Sequence, residues 1–117
     1  MQEFSGRTAV ITGGASGIGL GMARSFAKRG MQLVLADLNE ERLKAAEQEF
    51  SEAGVSVVCE ICDASKLDDV ERLAEVTMDR FGAVHVVCSN AGVGIPSSAL
   101  NFKLSDWEWI INVDLLG

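Results

Sequence analysis

Proline is nearly absent, occurring once in 117 residues, at Pro96. A proline-rich disordered segment is thereby excluded, and the 12 glycines point instead to tight turns between regular elements. No apolar run reaches the roughly 18 residues of a spanning helix, so no membrane-crossing segment is expected. The stretch from Met1 to Arg7 has no apolar run of the kind a secretory signal needs, and the chain reads as cytoplasmic. Basic residues are also scarce. Ten Lys and Arg face seventeen Asp and Glu, a formal charge of −7, with no basic cluster. Such a surface repels phosphate backbones and anionic lipid, which argues against nucleic acid and membranes as partners. An anion bound here must be met by backbone N–H groups and a helix terminus.

Cysteine is sparse and odd in number: Cys59, Cys62 and Cys88. Cys59 and Cys62 form a C-x-x-C, but within Val55 to Cys62, whose alternation and β-branched residues read as a strand. Residues three apart on a strand point to opposite faces, with Cα atoms about 10 Å apart. A disulfide needs about 4.4–6.8 Å. These are read as buried core thiols, with no metal site.

What is present is an alternation of two periods. Thr8 to Thr12 is a short apolar strand ending in glycines. Gly17 to Arg29 carries Ile18, Met22 and Phe26 on one helical stripe and stops at Gly30. Gln32 to Asp37 is a second strand. Asn39 is the expected N-cap of a helix to Ala53 with Leu43, Ala46 and Phe50 inward, closed by Gly54. After the cysteine-bearing strand, Ser65 with Asp68 resembles a capping box for a helix with Val70, Leu73, Ala74, Thr77 and Phe81 inward, ended by Gly82. Val84 to Ser89 is a fourth strand. A final helix is expected from Asp106 to the chain end, where Trp107 and Trp109 cannot share a face. The pattern implies an α/β fold of βαβ units: half a doubly wound parallel sheet with strand order 3-2-1-4.

The cluster Thr12-Gly13-Gly14-Ala15-Ser16-Gly17-Ile18-Gly19 sits between the first strand and first helix, where a phosphate-binding turn belongs. Gly13 permits the turn, Gly17 lets a pyrophosphate approach the backbone, and Gly19 lets the helix approach the sheet. The helix start supplies unpaired N–H groups and partial positive charge. A Walker loop would need Lys after its last glycine, and Leu20 follows Gly19. Asp37 ends the second strand, 18 residues beyond Gly19, where a carboxylate accepts from the adenosine ribose hydroxyls and repels a 2′-phosphate. Ser16 rather than Lys or Arg precedes Gly17. NAD is therefore expected over NADP.

On these residues the sequence resembles the short-chain dehydrogenase/reductase family, in its compact T-G-x-x-x-G-x-G branch. Four motifs fall in order: Thr12 to Gly19, Asp63, Asn90-Ala91-Gly92, and Asn112. The resemblance implies a Rossmann-type fold and NAD as cofactor, bound by Gly13, Ser16, Gly17, Ile18, Gly19, Asp37, Leu38, Asp63, Ala64, Asn90, Ala91 and Gly92. Asp63, with Ala64 beside it, would meet the adenine amino group. Asn112 would be the asparagine of a catalytic Asn-Ser-Tyr-Lys tetrad, set in the last helix, its carbonyl holding a proton-relay water. His85 stands where the family often has Asp and is read as structural; Ser89 stands where a second Asn is common.

The same resemblance implies an oxidoreductase acting on a small alcohol or carbonyl, and a homo-oligomer, dimer or tetramer, in the full-length form. Residues 1–117 would be its cofactor-binding domain, incomplete, because the catalytic Ser and Tyr-x-x-x-Lys are expected beyond Gly117. No tyrosine occurs in the sequence. The chain alone is accordingly expected to be inactive, its fourth strand left with an open apolar edge. A non-catalytic NAD-binding module or truncated isoform is the alternative, and a lyase or isomerase on the same fold a third reading.

Overall fold

Strand residues alternate between two cores, one on each side of a parallel sheet. The computed structural model describes residues 5–15, 17–63, 65–89 and 111–114. The elements are β1 (Thr8–Thr12), α1 (Gly17–Lys28), β2 (Gln32–Asp37), α2 (Glu40–Glu52), β3 (Val57–Ile61), α3 (Leu67–Phe81), β4 (Val86–Ser89) and β5 (Ile111–Asp114). Ala9, Ile11, Leu33, Leu35 and Cys88 pack with α1 and α2, while Val10, Val34, Ala36 and Val87 pack with Val70 and Leu73 of α3. With helices on both faces, no strand needs a polar side, which is why all five residues of β1 are buried.

The sheet order is β3-β2-β1-β4-β5, every pairing parallel, so the expected 3-2-1-4 order is present. β3 and β4 each start two residues later than the hydropathy suggested, at Val57 and Val86.

α1 differs from expectation in what it buries. Gly19 and Ala23 are its innermost residues, Met22 and Phe26 flank them half-buried, and Ile18 is 58% exposed. Small residues at the contact let the helix axis come close to the sheet, so the larger side chains splay to either side. Ile18 lies in the first turn, at the carboxyl ends of the strands.

α2 follows the sequence reading throughout. Asn39 caps it by accepting from the Arg42 N–H at 3.0 Å, and Leu43, Ala46 and Phe50 are buried. Arg24 of α1 makes a two-pronged ion pair with Glu49 of α2, at 2.8 and 2.9 Å. α3 buries Val70, Leu73 and Thr77 and ends on Gly82 at φ +75°. Its N-cap residue is Lys66, without a side-chain capping bond, so the capping box expected at Ser65 does not form. The Ser65 hydroxyl instead donates to Asp63 at 2.6 Å.

The last segment is a correction. Ile111–Asp114 is a strand parallel to β4, with Val86 opposite Ile111 and Ser89 opposite Asp114, where a helix was expected. The edge of β4 offers unpaired backbone groups, and β-branched Ile111 and Val113 alternate with polar residues at the period of a strand. Pairing there satisfies backbone groups of both strands, and Ile, Val, Asn and Asp are all weaker helix formers than Ala or Leu. The edge expected to stand open is thus covered by the chain itself. Trp107 and Trp109 lie outside the described residues. Among the described residues no helix is long and apolar enough to cross a membrane.

Candidate functional site

The chain leaves β1 at Thr12 and reverses through Gly13, at φ +66°, before α1 opens on Gly17 at φ +58°. Both values lie in the left-handed region that glycine adopts without steric cost. A Cβ on Gly17 would meet none of the described residues within 4 Å, so among them this side of the turn is open to a ligand.

Gly14, not singled out from the sequence, proves to be tightly confined. A Cβ there would stand 2.9 Å from the Ile11 carbonyl oxygen and 3.0 Å from Leu35 Cδ2, and its N–H donates to the Ala36 oxygen at 3.2 Å. Its role is to seat the turn against β1 and β2. The only sequence signal was the doubled glycine, whose second member looked redundant.

Asp37 lies at the end of β2 beside this turn. Its Oδ2 accepts from the Ala15 N–H at 3.2 Å and its Oδ1 from the Asn39 N–H at 3.1 Å. A carboxylate has about four lone-pair sites, so acceptor capacity remains on both oxygens. Next to it, Leu38 is 67% exposed. Like Ile18, it offers an apolar surface at the carboxyl ends of the strands.

Asp63 follows β3, joined to the end of β2 through the Cys62 N–H, which donates to the Asp37 carbonyl at 3.0 Å. Its N–H donates to Asp69 Oδ2 at 2.8 Å, and its Oδ1 accepts from the Ser65 N–H at 2.9 Å. The Ser65 hydroxyl and N–H hold the Asp63 carboxyl below the usual carboxylate range.

These positions gather at one edge. β1 lies between β2 and β4, where the strand order reverses, and a crevice at the carboxyl ends of such strands is the usual ligand site of an open α/β sheet. Thr12 Oγ1 reaches across the reversal to the Cys88 carbonyl at 3.4 Å. Gly13, Gly17, Gly19, Ile18, Asp37, Leu38 and Asp63 are thus brought to this edge. Ser16, Ala64, Asn90, Ala91 and Gly92 lie outside the described residues. Asn112 stands on β5 opposite Val87, not in the helix that its tetrad role implied.

His85 lies elsewhere. It is buried at the amino end of β4, bonded to Thr8 at the start of β1, as a structural residue would be. Cys59 packs on the α1–α2 side and Cys62 on the α3 side, opposite faces as the strand period required. Cys59, Cys62 and Cys88 are free thiols; Cys62 and Cys88 are buried as expected, whereas Cys59, on the edge strand β3, is only half-buried.

The groups at the crevice suit a dinucleotide: an open glycine at a helix start for the pyrophosphate, a strand-end carboxylate for ribose hydroxyls, and exposed apolar side chains for the flat rings.

Comparison with known proteins agrees. Residues 7–117 match the short chain dehydrogenase family. The chain is 33% identical over 116 residues to a CLA biosynthesis dehydrogenase/reductase of Lactiplantibacillus plantarum, covering 99% of this chain and 41% of that protein. It is 38% identical over 115 residues to 3beta-hydroxysteroid dehydrogenase 2 of Eggerthella lenta, covering 96% and 44%. Among solved structures, a short chain dehydrogenase/reductase from Burkholderia phymatum in complex with NAD superposes with a TM-score of 0.77 at 42% identity, over 80% of this chain and 34% of that one. The chain thus spans less than half the length of these relatives.

Proposed function

The chain belongs to the short chain dehydrogenase family, and from that premise we propose that it forms the NAD-binding half of an oxidoreductase acting on an alcohol or a carbonyl compound. The observation that carries this reading is the pairing of Gly17, open beyond its Cα at the start of α1, with the Asp37 carboxylate at the adjoining strand end.

In this reading the first-turn N–H groups of α1 hold the pyrophosphate, compensating for a chain whose net charge is −7. Asp37 accepts from the adenosine ribose hydroxyls and disfavours a 2′-phosphate, giving NAD preference over NADP. Leu38 and Asp63, with Ala64 next in sequence, meet the adenine, and Ser16 brings no positive charge for a 2′-phosphate. Ile18 and the Asn90-Ala91-Gly92 segment line the nicotinamide side. When bound, NAD supplies a ring carbon that takes or gives a hydride.

The reaction also requires a general acid/base. The family resemblance makes that group a tyrosine, and because none occurs in these 117 residues we assign it to another part of the intact protein. The 117 residues by themselves are expected to bind cofactor without turnover.

Titration calorimetry of the intact protein with NAD and NADP tests the reading. NAD should bind tighter, and Asp37→Ala should narrow the gap. Equal affinities in the unmutated protein would refute the NAD preference; binding of neither would refute the function.

A further inference from the structure

Resting on that reading, we propose that Asp37 is also a positioning residue: its carboxylate braces the glycine turn, so that it governs the phosphate site as well as the ribose site. Two successive amides of the turn are taken by the end of β2. The Gly14 N–H goes to the Ala36 carbonyl at 3.2 Å, a bond any residue at 36 would provide. The Ala15 N–H goes to Asp37 Oδ2 at 3.2 Å, and this acceptor belongs to one side chain.

The carboxylate is itself fixed from the other side. Its Oδ1 takes the Asn39 N–H at 3.1 Å, and the Asn39 side chain takes the Arg42 N–H at 3.0 Å to open α2. One charged group therefore ties the loop before α1 to the loop before α2. Bonds from N–H groups to an ionised acceptor are about twice as strong as neutral ones. The Ala15 amide, already engaged, is not a phosphate donor. Its bond instead sets where the chain passes into Gly17 and hence where the free amides of α1 begin. Replacing Asp37 to admit a 2′-phosphate would then loosen the pyrophosphate cradle at the same time.

A dinucleotide lacking both adenosine ribose hydroxyls separates the two roles. It keeps the pyrophosphate and has nothing for Asp37 to bind directly. In the intact protein, Asp37→Ala should weaken this analogue by roughly fivefold to tenfold, and the Ala15 amide of the ligand-free variant should exchange hydrogen faster. Asp37→Asn, nearly identical in shape and keeping one acceptor oxygen, should fall between. If Asp37 acts through ribose alone, the analogue should bind Asp37→Ala as well as the unmutated protein, or better for the lost negative charge. That result overturns the proposal while leaving the NAD reading intact. Failure of the unmutated protein to bind NAD overturns both.

Discussion

Thr8 and His85 are bonded to each other twice across the amino ends of β1 and β4. The Thr8 N–H donates to His85 Nδ1 at 3.0 Å, and the His85 N–H donates to the Thr8 carbonyl at 3.0 Å. The first bond needs an unprotonated Nδ1, because both ring nitrogens of imidazolium are donors. Burial, and then the positive charge of Arg7, push the His85 pKa below the ordinary 6.5. The unfolded chain therefore takes up the proton more readily than the folded one. Stability from this pair is fully present above about pH 6.5, is lost as pH falls toward the lowered folded value, and levels off below it. His85→Asn places an amide oxygen near the Nδ1 position and cannot titrate. Denaturant unfolding between pH 8 and pH 5 should show a steeper loss for the unmutated protein than for His85→Asn. Parallel curves would count against it.

The same threonine carries a defect. Thr8 is 1% exposed and its Oγ1 has no hydrogen-bond partner among the described residues. Burying an unsatisfied hydroxyl costs about 1–3 kcal/mol, and valine has the same shape without it. Thr8→Val keeps both backbone bonds to His85 and suits a strand. The variant should be more stable by about 1 kcal/mol, raising the melting temperature by several degrees. A lower melting temperature would sink the prediction.

The sequence carried the sheet and most of the helix faces, because their signals are local and repeated. Periodicity placed Leu43, Ala46 and Phe50 inward on α2, and alternation put Cys59 and Cys62 on opposite faces. It did not carry features decided by tertiary neighbours. Ile18 continues the apolar stripe of α1 but lies in the turn that meets no sheet, and Gly14 matters because Ile11 and Leu35 stand beside it. Ile111–Asp114 falls within the helix expected from Asp106 to the chain end, while the edge of β4 decides its conformation. The carboxylate of Asp37 was legible as a ligand for ribose. Its bond to the Ala15 amide was not, since the pair is 22 residues apart.

The three thiols should be inert in the folded protein. Burial, aided by the charges of Glu47 and Glu60, pushes Cys59 up to about 12. Burial, followed by the Asp69 charge, pushes Cys62 up to about 11, and burial alone does the same for Cys88. Alkylation requires thiolate, and an ordinary free thiol has a pKa near 8.5. At pH 8 the folded thiols should react with iodoacetamide on the order of a hundredfold more slowly than in denaturant. Oxidants should form no Cys59–Cys62 crosslink without unfolding. Mass spectrometry of the labelled sites checks both, and rapid native labelling of Cys62 would show that its burial is incomplete.

Gly14 and Gly17 are three residues apart and should fail in opposite ways when replaced by alanine. At Gly14 the new Cβ meets a backbone oxygen at 2.9 Å and the Leu35 side chain at 3.0 Å, and the backbone cannot swing aside. The turn must shift away from β1 and β2, at a cost of about 1–3 kcal/mol of stability. At Gly17 the Cβ meets none of the described residues, and the cost to the fold is the left-handed φ of +58°, about 1–2 kcal/mol. That side of the turn is where the pyrophosphate is proposed to lie, so Gly17→Ala should lose much more NAD affinity than its stability loss suggests. Gly14→Ala should lose affinity roughly in step with the displaced turn. Unfolding midpoints paired with NAD titrations of both variants make the comparison. If Gly17→Ala binds NAD as tightly as the unmutated protein, the pyrophosphate does not approach this glycine, and the cradle must be sought elsewhere on the turn.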